Sequence, residues 1–480
     1  MEETAESSPT SPEIDFSKLD PEALKVVRRL HQHGHQAYFV GGCVRDLLLD
    51  RQPKDFDIAT SAHPGEVRDI FRNCRLIGRR FRLAHVYFKG GKVVEVATFR
   101  ANPTEVEEAQ RELELVAEVD SEGVAEVEAD VPALEPTEES GDLLISSDNV
   151  FGSAEEDARR RDFTINGLFY DVQTGRVLDY VRGRRDLNER SIRTIGDPEV
   201  RMREDPVRIL RAVRFACRLG LDIESRTYAA MEGAVEDLPR CAPPRLLEDT
   251  FRLLRGGVSG PAIRLLQALD ALKYLLAPID EFLKGHGPEG EKSFFAHADA
   301  LDRRVLGGEK FEDAVLLAVL LLPLGQSEPD VEAAGGRPSV AKIVEDLLEE
   351  LVKSARLPRR IAERCRMILF AQRTLSGERK RRGSLASFRR HPLFNESLAV
   401  FEISVEATGE FREQLEAWKS GTVPAVTGTA AEGAAEGSTA GRPKRRRRRG
   451  GRRPGGREGA EGASAEGGPS ERSADGPPES

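Results

Sequence analysis

The sequence predicts an α+β fold, in which a head with a mixed or antiparallel sheet precedes an all-helical neck and body and a disordered tail. Short apolar runs bounded by turn residues fill residues 37–99 and 164–181, as in the strands of a sheet. The pair Gly90-Gly91 lies between two such runs, which is a hairpin signal and disfavours a doubly wound sheet. Beyond about Asp186 the apolar residues recur at helical spacing.

Within the head, helices and strands alternate along the chain. Pro21 begins a helix, because Leu24, Val27 and Leu30 recur at helical spacing. A short apolar strand then ends at a glycine pair. The predicted head elements are helices at 21–33, 44–49 and 66–73, and strands at 37–40, 55–59, 82–89, 92–99, 164–172 and 177–181.

The helical half begins with a helix at Pro206 to Leu219, in which Arg208, Arg211 and Arg214 share one face. Further helices are predicted at 244–283, 296–322, 339–355, 358–376, 393–405 and 409–419. The predicted division of the chain is a disordered N-terminus at 1–16, a head at 17–185 with an acidic insertion at 101–147, a helical neck at 186–283, a helical body at 284–420 and a disordered, Arg-rich tail at 421–480.

Composition disfavours a membrane protein and a disulfide scaffold. Charged residues make up 32% of the chain, and the apolar run from Ala314 to Leu324 is shorter than the roughly 18 residues of a membrane span. The acidic N-terminus differs from a signal peptide. Neither CxxC nor zinc-ligand spacing occurs, so free thiols in a reducing cytoplasm are expected for Cys43, Cys74, Cys217, Cys241 and Cys365.

Charge is segregated along the chain. The formal net charge of −10 by itself disfavours a nucleic-acid partner. The charged residues of 101–142 are all Glu or Asp except one Arg, however, whereas residues 442–457 are mostly Arg. Because the local electrostatic field decides binding, the Arg-rich run is expected to bind RNA irrespective of its sequence, and less tightly as the salt concentration rises. A tail that only solubilises the chain is the alternative.

The first group of candidate site residues runs from Val40 to Asp46 (Val-Gly-Gly-Cys-Val-Arg-Asp) and continues at Asp55-Phe56-Asp57. A glycine pair between strand and helix lets the backbone approach an anion, and Arg45 would lie near a bound phosphate. Asp55 and Asp57 share one face if they lie on a strand. Such a pair suits Mg²⁺, with Glu95 on a later strand as the candidate third ligand. For the Asp pair alone, a solvated strand edge is the alternative.

Two further groups follow the insertion. Arg160-Arg161-Asp162, at a strand start, could bind triphosphate oxygens, with the Asp orienting them or assisting the metal. Pro206 suits a first helical turn, which places Asp205 at the N-cap. Asp205 and Arg208, one turn apart, form an acceptor and donor pair that can bond the Watson–Crick edge of a base. A surface ion-pair cluster and a capped helix with a solvated basic face are the respective alternatives.

Together these motifs resemble the class II tRNA nucleotidyltransferase and bacterial poly(A) polymerase family, of the polymerase-β-like superfamily. The resemblance runs from about Leu24 to Leu219 and continues weakly to about Gly409. It implies a polymerase-β-like nucleotidyltransferase head and a neck that selects the nucleotide and binds RNA. It further implies catalytic carboxylates at Asp55, Asp57 and Asp162, metal ligands at Asp55 and Asp57, and nucleotide contacts at Gly42, Arg45, Arg161, Asp205, Arg208, Arg211 and Arg214. The glycine-pair argument adds Gly41 to the nucleotide contacts, and the strand alternation adds Glu95 to the metal ligands. Either Asp162 or Glu95 could be the third carboxylate of the site beside Asp55 and Asp57, and the motif favours Asp162.

Two activities share the core of this family, CCA addition to tRNA and poly(A) addition to RNA. Residues 76–86, 148–158 and 391–394 resemble segments of the poly(A) branch, whereas the Glu-rich insertion departs from the family pattern. The expected reaction is attack of an RNA 3′-hydroxyl on the α-phosphate of ATP, releasing pyrophosphate with the help of two Mg²⁺ ions.

The alternatives are a CCA-adding enzyme and an inactive RNA-binding scaffold, and the intact Asp55 and Asp57 disfavour the second. The expected partners are RNA 3′ ends and ATP. RNA-decay proteins are candidate partners by analogy, and no membrane partner is expected.

Overall fold

The computed structural model describes residues 13–78, 83–101, 150–326, 340–378 and 385–421. Residues 102–147 of the predicted insertion and 422–480 of the predicted tail lie outside the described residues. The described part has a sheet-bearing first half and a helical second half, so the predicted α+β fold class is confirmed. The boundaries drawn between head, neck and body stay a prediction.

A seven-stranded mixed sheet forms the first half. Its strands are β1 (Ala37–Val40), β2 (Ile58–Thr60), β3 (Cys74–Ile77), β4 (Leu83–Tyr87), β5 (Val93–Thr98), β6 (Leu168–Asp171) and β7 (Arg176–Asp179). They follow the order β3-β4-β5-β2-β1-β6-β7. All neighbours run antiparallel except β2 and β5, which are parallel. The central strands β5, β2 and β1 therefore carry the first group of candidate site residues or lead into it.

Strand prediction was wrong in three places. The predicted strand 55–59 starts only at Ile58, although the amide of Val40 still donates to the Asp57 carbonyl at 3.0 Å. The strand predicted from Thr164 begins as a 3₁₀ turn, because the Thr164 hydroxyl donates to buried Asp186 at 2.6 Å and holds the chain against the next helix. Edge strand β3 was not predicted, since Ile77 on its exposed side breaks the alternation of apolar and polar residues in the sequence.

Short helices pack against the sheet: α1 (Pro21–Gln32), α2 (Gly42–Leu48), α3 (Pro64–Ile70), α4 (Ala154–Arg159) and α5 (Gly183–Asn188). Asp20 caps α1 by accepting from the amides of Glu22 and Ala23, and α1 then buries Val26 and Leu30. Of the N-terminal segment predicted as disordered, residues 1–12 lie outside the described residues, and residues 13–16 are described. Ile14 is buried, and the amide of Glu13 donates to the Gly175 carbonyl at 2.9 Å beside β7.

The second half is helical, as predicted. Its helices are α6 (Pro198–Glu204), α7 (Val207–Leu219), α8 (Ser225–Ala234), α9 (Pro243–Arg255), α10 (Ser259–Ala268), α11 (Leu272–Leu275), α12 (Ala277–Gly285), α13 (Gly287–Leu306), α14 (Asp313–Gln326), α15 (Val340–Ser354), α16 (Arg359–Leu375), α17 (Leu385–Arg389), α18 (Phe394–Thr408) and α19 (Arg412–Ser420). A two-stranded parallel ribbon, β8 (Ser191–Ile192) with β9 (Asp222–Ile223), flanks α6 and α7. Helices α6 and α8 were not predicted.

The main core is continuous from the sheet into the helices. It includes Phe39 of β1, Ile209 of α7 and Ile403 of α18, so the sheet and the helices bury one shared apolar surface. All five cysteines are free thiols, as predicted. Throughout the described ranges, every helix is too short or too polar to cross a membrane.

Candidate active site

The glycine pair forms the turn between β1 and α2. Gly41 has a φ of +70°, and its amide donates to the Leu168 carbonyl of β6 at 2.9 Å. A Cβ at Gly41 would lie 2.9 Å from Nη1 of Arg161, so a side chain would displace that guanidinium. Helix α2 begins two residues earlier than predicted, directly at Gly42. The pair thus brings the backbone against Arg161, as only glycine permits here.

Arg45 is held rigidly at the wall of this turn. It is 4% exposed, and its Nε and Nη2 donate to Oδ1 of Asp46 at 2.9 and 2.6 Å. Its Nη1 donates to Oδ1 of Asn166 at 2.6 Å. These contacts fix the guanidinium, which still borders the cleft described below.

Asp55 and Asp57 precede β2 and are exposed, and Glu95 lies beside them on β5. Val94 and Val96 are buried, so Glu95 projects from the opposite face, as predicted. Crowding by the surrounding protein, together with the charges of Glu95 and Asp55, raises the pKa of Asp57 to about 6. Within the described residues, no three His, Cys, Asp or Glu side chains form a preformed metal cluster.

Asp157 orients the arginine pair, which sequence reasoning did not foresee. Its Oδ2 accepts from Nε and Nη2 of Arg161 at 3.1 and 2.8 Å, and its Oδ1 accepts from Nε of Arg160 at 3.1 Å. Burial opposes ionisation, but the two guanidinium groups hold the pKa of Asp157 below its ordinary value. The signal that could have found Asp157 is its spacing of three and four residues before the arginines, which follow the end of α4.

Asp162 is saturated with donors from the protein. Its carboxylate accepts from the Phe163 amide at 2.8 Å, from Nδ2 of Asn166 at 3.1 Å and from Nε of Arg211 at 2.7 Å. Burial alone would raise the pKa of Asp162, but the charge and hydrogen bonds of its partners, chiefly Arg211, lower that pKa to about 2. This arrangement favours the orienting role that the sequence left open for Asp162 over a role as metal ligand.

The predicted N-cap at Asp205 is wrong. Asp205 ends α6, with φ −148° and ψ 84°, and Pro206 occupies the N-cap of α7 without a side-chain capping bond. The non-helical backbone of Asp205 before Pro206 would itself suit a cap, so the difference lies in the partner of the side chain. The Asp205 carboxylate instead accepts from Nη2 of Arg245 at 2.6 Å, a partner far along the chain that no local pattern reveals.

Arg208 belongs to a buried network with α6. Its Nη1 donates to Oε2 of Glu204 at 3.1 Å and to the Arg201 carbonyl. Nη1 of Arg201 donates to the same carboxylate oxygen at 3.0 Å. Nη2 of Arg201 donates to the carbonyls of Arg160 and Arg161, both at 2.6 Å. Arg201, which was not predicted, therefore links the predicted base-selecting residue to the arginine pair.

These groups enclose a cleft of about 480 Å³. Its lining residues are Gly41, Gly42, Arg45, Asp57, Arg160, Arg161, Asp162, Asn166, Asp205, Arg208, Arg211, Phe215 and Arg245. Six arginines face three aspartates, so the cleft is positive and suits a polyanion. Of the predicted nucleotide contacts, Arg214 alone is not part of this lining. It packs beside it and lies 3.5 Å from Asp249.

A second cleft of about 870 Å³ adjoins the first. Asp55 and Glu95 line the second cleft only, whereas Asp57 lines both. The structure thus separates the predicted carboxylates, with Asp162 in the arginine-rich cleft and Glu95 in the other. Asp57 marks the boundary at which molecules in the two clefts would meet.

Comparison with known proteins agrees with this geometry. The family model of the Poly A polymerase head domain matches residues 37–193, and the model described as "Probable RNA and SrmB- binding site of polymerase A" matches residues 220–283. Poly(A) polymerase I of Salmonella typhi is 37% identical over 413 residues, covering 84% of this chain and 83% of that relative. The chain belongs to the bacterial poly(A) polymerase family.

Other relatives place this poly(A) polymerase family member beside CCA-adding enzymes. Poly(A) polymerase I of Haemophilus influenzae is 34% identical over 84% of both chains. The CCA-adding enzyme of Bacillus pumilus is 33% identical but aligns with only 51% of this chain and 52% of its own. The Bacillus stearothermophilus CCA-adding enzyme in complex with CTP has a TM-score of 0.58 and 26% identity, covering 84% of this chain and 82% of that chain.

Proposed function

We propose that this protein transfers AMP from ATP to RNA 3′ ends with release of pyrophosphate, as a polynucleotide adenylyltransferase. The observation that carries the proposal is that the arginine-rich cleft meets, at Asp57, a second cleft whose lining includes Asp55 and Glu95. Relatives named poly(A) polymerase I match most of the chain, whereas the CCA-adding enzyme of Bacillus pumilus matches about half of it. Both findings favour a transferase that moves AMP from ATP to an RNA end.

The arginine-rich cleft is the proposed ATP site. Arg45, Arg161 and Arg211 present guanidinium groups to the triphosphate, each oriented by a carboxylate or amide of the protein. Asp205 and Arg208 are the proposed partners of the base edge. Because Arg208 is anchored by Glu204, its remaining donors are held in one orientation, which favours one pattern of base acceptors over others.

Asp55 and Asp57 are the proposed ligands of Mg²⁺, with Glu95 beside them. The donor set fits such an ion, because burial and the charges of Glu95 and Asp55 raise the pKa of Asp57, and a cation between the carboxylates would relieve their repulsion. When bound, the metal would polarise the triphosphate and lower the pKa of the attacking hydroxyl. Asp162, saturated by Arg211 and Asn166, is proposed to orient the nucleotide-binding arginines.

RNA 3′ ends and ATP are the proposed substrates. Residues 220–283 match a family model whose description includes RNA binding, and they follow the base-selecting helix α7 directly. The free cysteines support a reducing compartment such as the cytoplasm. RNA-decay proteins are proposed as partners by analogy with the poly(A) branch.

CCA addition is the second candidate. The observation that favours it is the likeness of the whole fold to a CCA-adding enzyme in complex with CTP. The two candidates differ in the nucleotides that they use and in the number of nucleotides that they add.

A primer-extension assay separates them. The purified protein with Mg²⁺ would receive each of the four nucleoside triphosphates separately, with a plain oligoribonucleotide or a tRNA that lacks its CCA end. We expect long ladders with ATP on both RNAs. Addition of two C and one A to the tRNA alone would identify a CCA-adding enzyme and overturn the proposal.

A further inference from the structure

The ring of Phe215 sits among three guanidinium groups. The centres of the Arg45, Arg211 and Arg214 guanidinium groups lie 5.2, 5.8 and 5.1 Å from its centroid. All three distances are within the roughly 6 Å over which an aromatic face attracts a cation. Phe163 packs edge-on against the same ring, with centroids 5.9 Å apart and an interplanar angle of 81°. Phe215 is thus a shared contact for several cations.

These arginines come from different parts of the fold. Arg45 belongs to α2 beside the sheet, whereas Arg211 and Arg214 lie on α7 with Phe215 itself. Phe215 is 8% exposed and borders the arginine-rich cleft. The ring therefore lies where the two walls of that cleft approach each other, and it contacts cations from both.

Bringing the guanidinium groups together has an electrostatic cost. Burial and, next to it, the neighbouring Arg211 lower the pKa of Arg214 to about 10. Each arginine has one carboxylate partner, namely Asp46, Asp162 and Asp249. A further carboxylate would neutralise the positive charge that a triphosphate needs. The negative face of an aromatic ring attracts the cations and leaves their net charge unchanged.

We propose that Phe215 is a positioning residue for triphosphate binding, whose ring holds Arg45 and Arg211 at the cleft without neutralising them. The inference rests on the proposed ATP site and deepens it. It concerns the phosphates, which all four nucleoside triphosphates share, and so it does not depend on which base the enzyme selects. Arg214 takes part as a neighbour that packs on the ring from outside the cleft lining.

The test replaces the ring and leaves the apolar volume. In Phe215→Leu we expect the dissociation constant for ATP with Mg²⁺, and that for inorganic triphosphate, to rise about tenfold, which corresponds to about 1.4 kcal/mol. The Michaelis constant for ATP should rise in parallel, with a smaller change in kcat. Phe215→Tyr restores a ring face and should regain most of the lost affinity. Binding is measured by titration calorimetry.

Phe251 provides the matched control. It is a buried phenylalanine on α9 with the guanidinium of Arg255 5.6 Å from its ring, and it does not line the cleft. Phe251→Leu should lower the melting temperature and leave the affinity for triphosphate unchanged. If Phe215→Leu also lowers the melting temperature but leaves the affinity for triphosphate unchanged, Phe215 is only a core residue and the inference is wrong.

Two further measurements keep the outcome decisive. Should Phe215→Leu fail to fold, Phe215→Met offers a flexible side chain of similar volume without an aromatic face, and the same loss of affinity is expected. If the protein proves to add CCA, the loss should appear equally with CTP and ATP. The inference then stands although the proposed polyadenylation fails. Unchanged triphosphate affinity in both substitutions overturns it.

Discussion

Asp162 and Arg211 form an ion pair in which the carboxylate Oδ2 accepts from Nε of the guanidinium at 2.7 Å. Asp162 follows the arginine pair next to the sheet, and Arg211 lies on α7. The pair therefore joins the two walls of the arginine-rich cleft. Because Asp162 is buried, this contact links the stability of the fold to the ionisation of one carboxyl group.

Acid should weaken this contact in a defined range of pH. The folded-state pKa of Asp162 is lowered from 3.8 to about 2. A carboxyl group whose pKa is lower in the folded than in the unfolded protein stabilises the fold. This contribution is complete above the unfolded-state pKa and disappears as the pH falls towards 2.

We expect Asp162→Asn to lose about 2 kcal/mol of unfolding free energy at neutral pH. Denaturant unfolding of both proteins from pH 7 to pH 3 should show this difference shrinking below about pH 4. Asp69→Asn, on an exposed surface ion pair, is the control and should show no such trend. A difference that stays constant down to pH 3 would contradict the assignment.

Asp57 should be indispensable for nucleotide addition, because it borders both clefts. We expect Asp57→Ala to lower kcat by at least about 10³-fold, roughly 4 kcal/mol of activation free energy. The measurement is single-nucleotide extension with saturating ATP, RNA and Mg²⁺. Asp69→Ala should extend RNA at the rate of the unmodified protein. Near-normal activity of Asp57→Ala would remove this residue from the catalytic site.

Arg201 should influence the choice of base although it does not line the cleft. Its guanidinium joins Glu204, the anchor of Arg208, to the carbonyls of Arg160 and Arg161. Lysine cannot make these contacts simultaneously. We expect Arg201→Lys to reduce the preference for ATP over CTP about tenfold, within the roughly 1–3 kcal/mol typical of one missing polar contact. The readout is the ratio of kcat/KM for the two nucleotides.

The control for Arg201 is Arg364, whose Nε donates to Oε2 of Glu396 at 2.8 Å in the distant C-terminal helices. Arg364→Lys removes a comparable ion pair and should leave the ATP to CTP ratio unchanged. If Arg201→Lys lowers the melting temperature and keeps that ratio, its role is confined to stability.

The Arg-rich run at 442–457 should strengthen RNA binding through charge alone. We expect deletion of residues 442–480 to raise the KM for RNA, to flatten its dependence on salt and to leave ATP binding unaffected. Deletion of residues 458–480 keeps the arginine run and is the matched control. An identical salt dependence in all three proteins would argue against a role in RNA binding.

Sequence reasoning located most of the candidate site because its residues lie in short continuous runs. The glycine pair, Arg45 and Arg161 lie on the arginine-rich cleft as expected, and so does Arg208. Their spacing is set by local turns and helices, which the sequence encodes directly. Glu95 was identified by the alternation of its strand, with buried valines on either side.

Residues that act across the fold were missed. Arg245 reaches Asp205 from forty positions away, and Arg201 reaches the arginine pair across the boundary between sheet and helices. No local period marks such contacts, because they depend on how separate helices pack. The N-cap expected at Asp205 was wrong for the same reason, because its carboxylate is bound by the distant Arg245.

The crowding of six arginines around one cleft has a consequence for the folded state itself. Their mutual repulsion destabilises the folded state, and a polyanion bound in the cleft reduces that repulsion. Nucleotide in the cell would then act as a stabiliser of the native chain, at about 2.7 kcal/mol when its concentration is 100 times the dissociation constant. The same charge that recruits the substrate would thus make the lifetime of the protein depend on the supply of nucleotide.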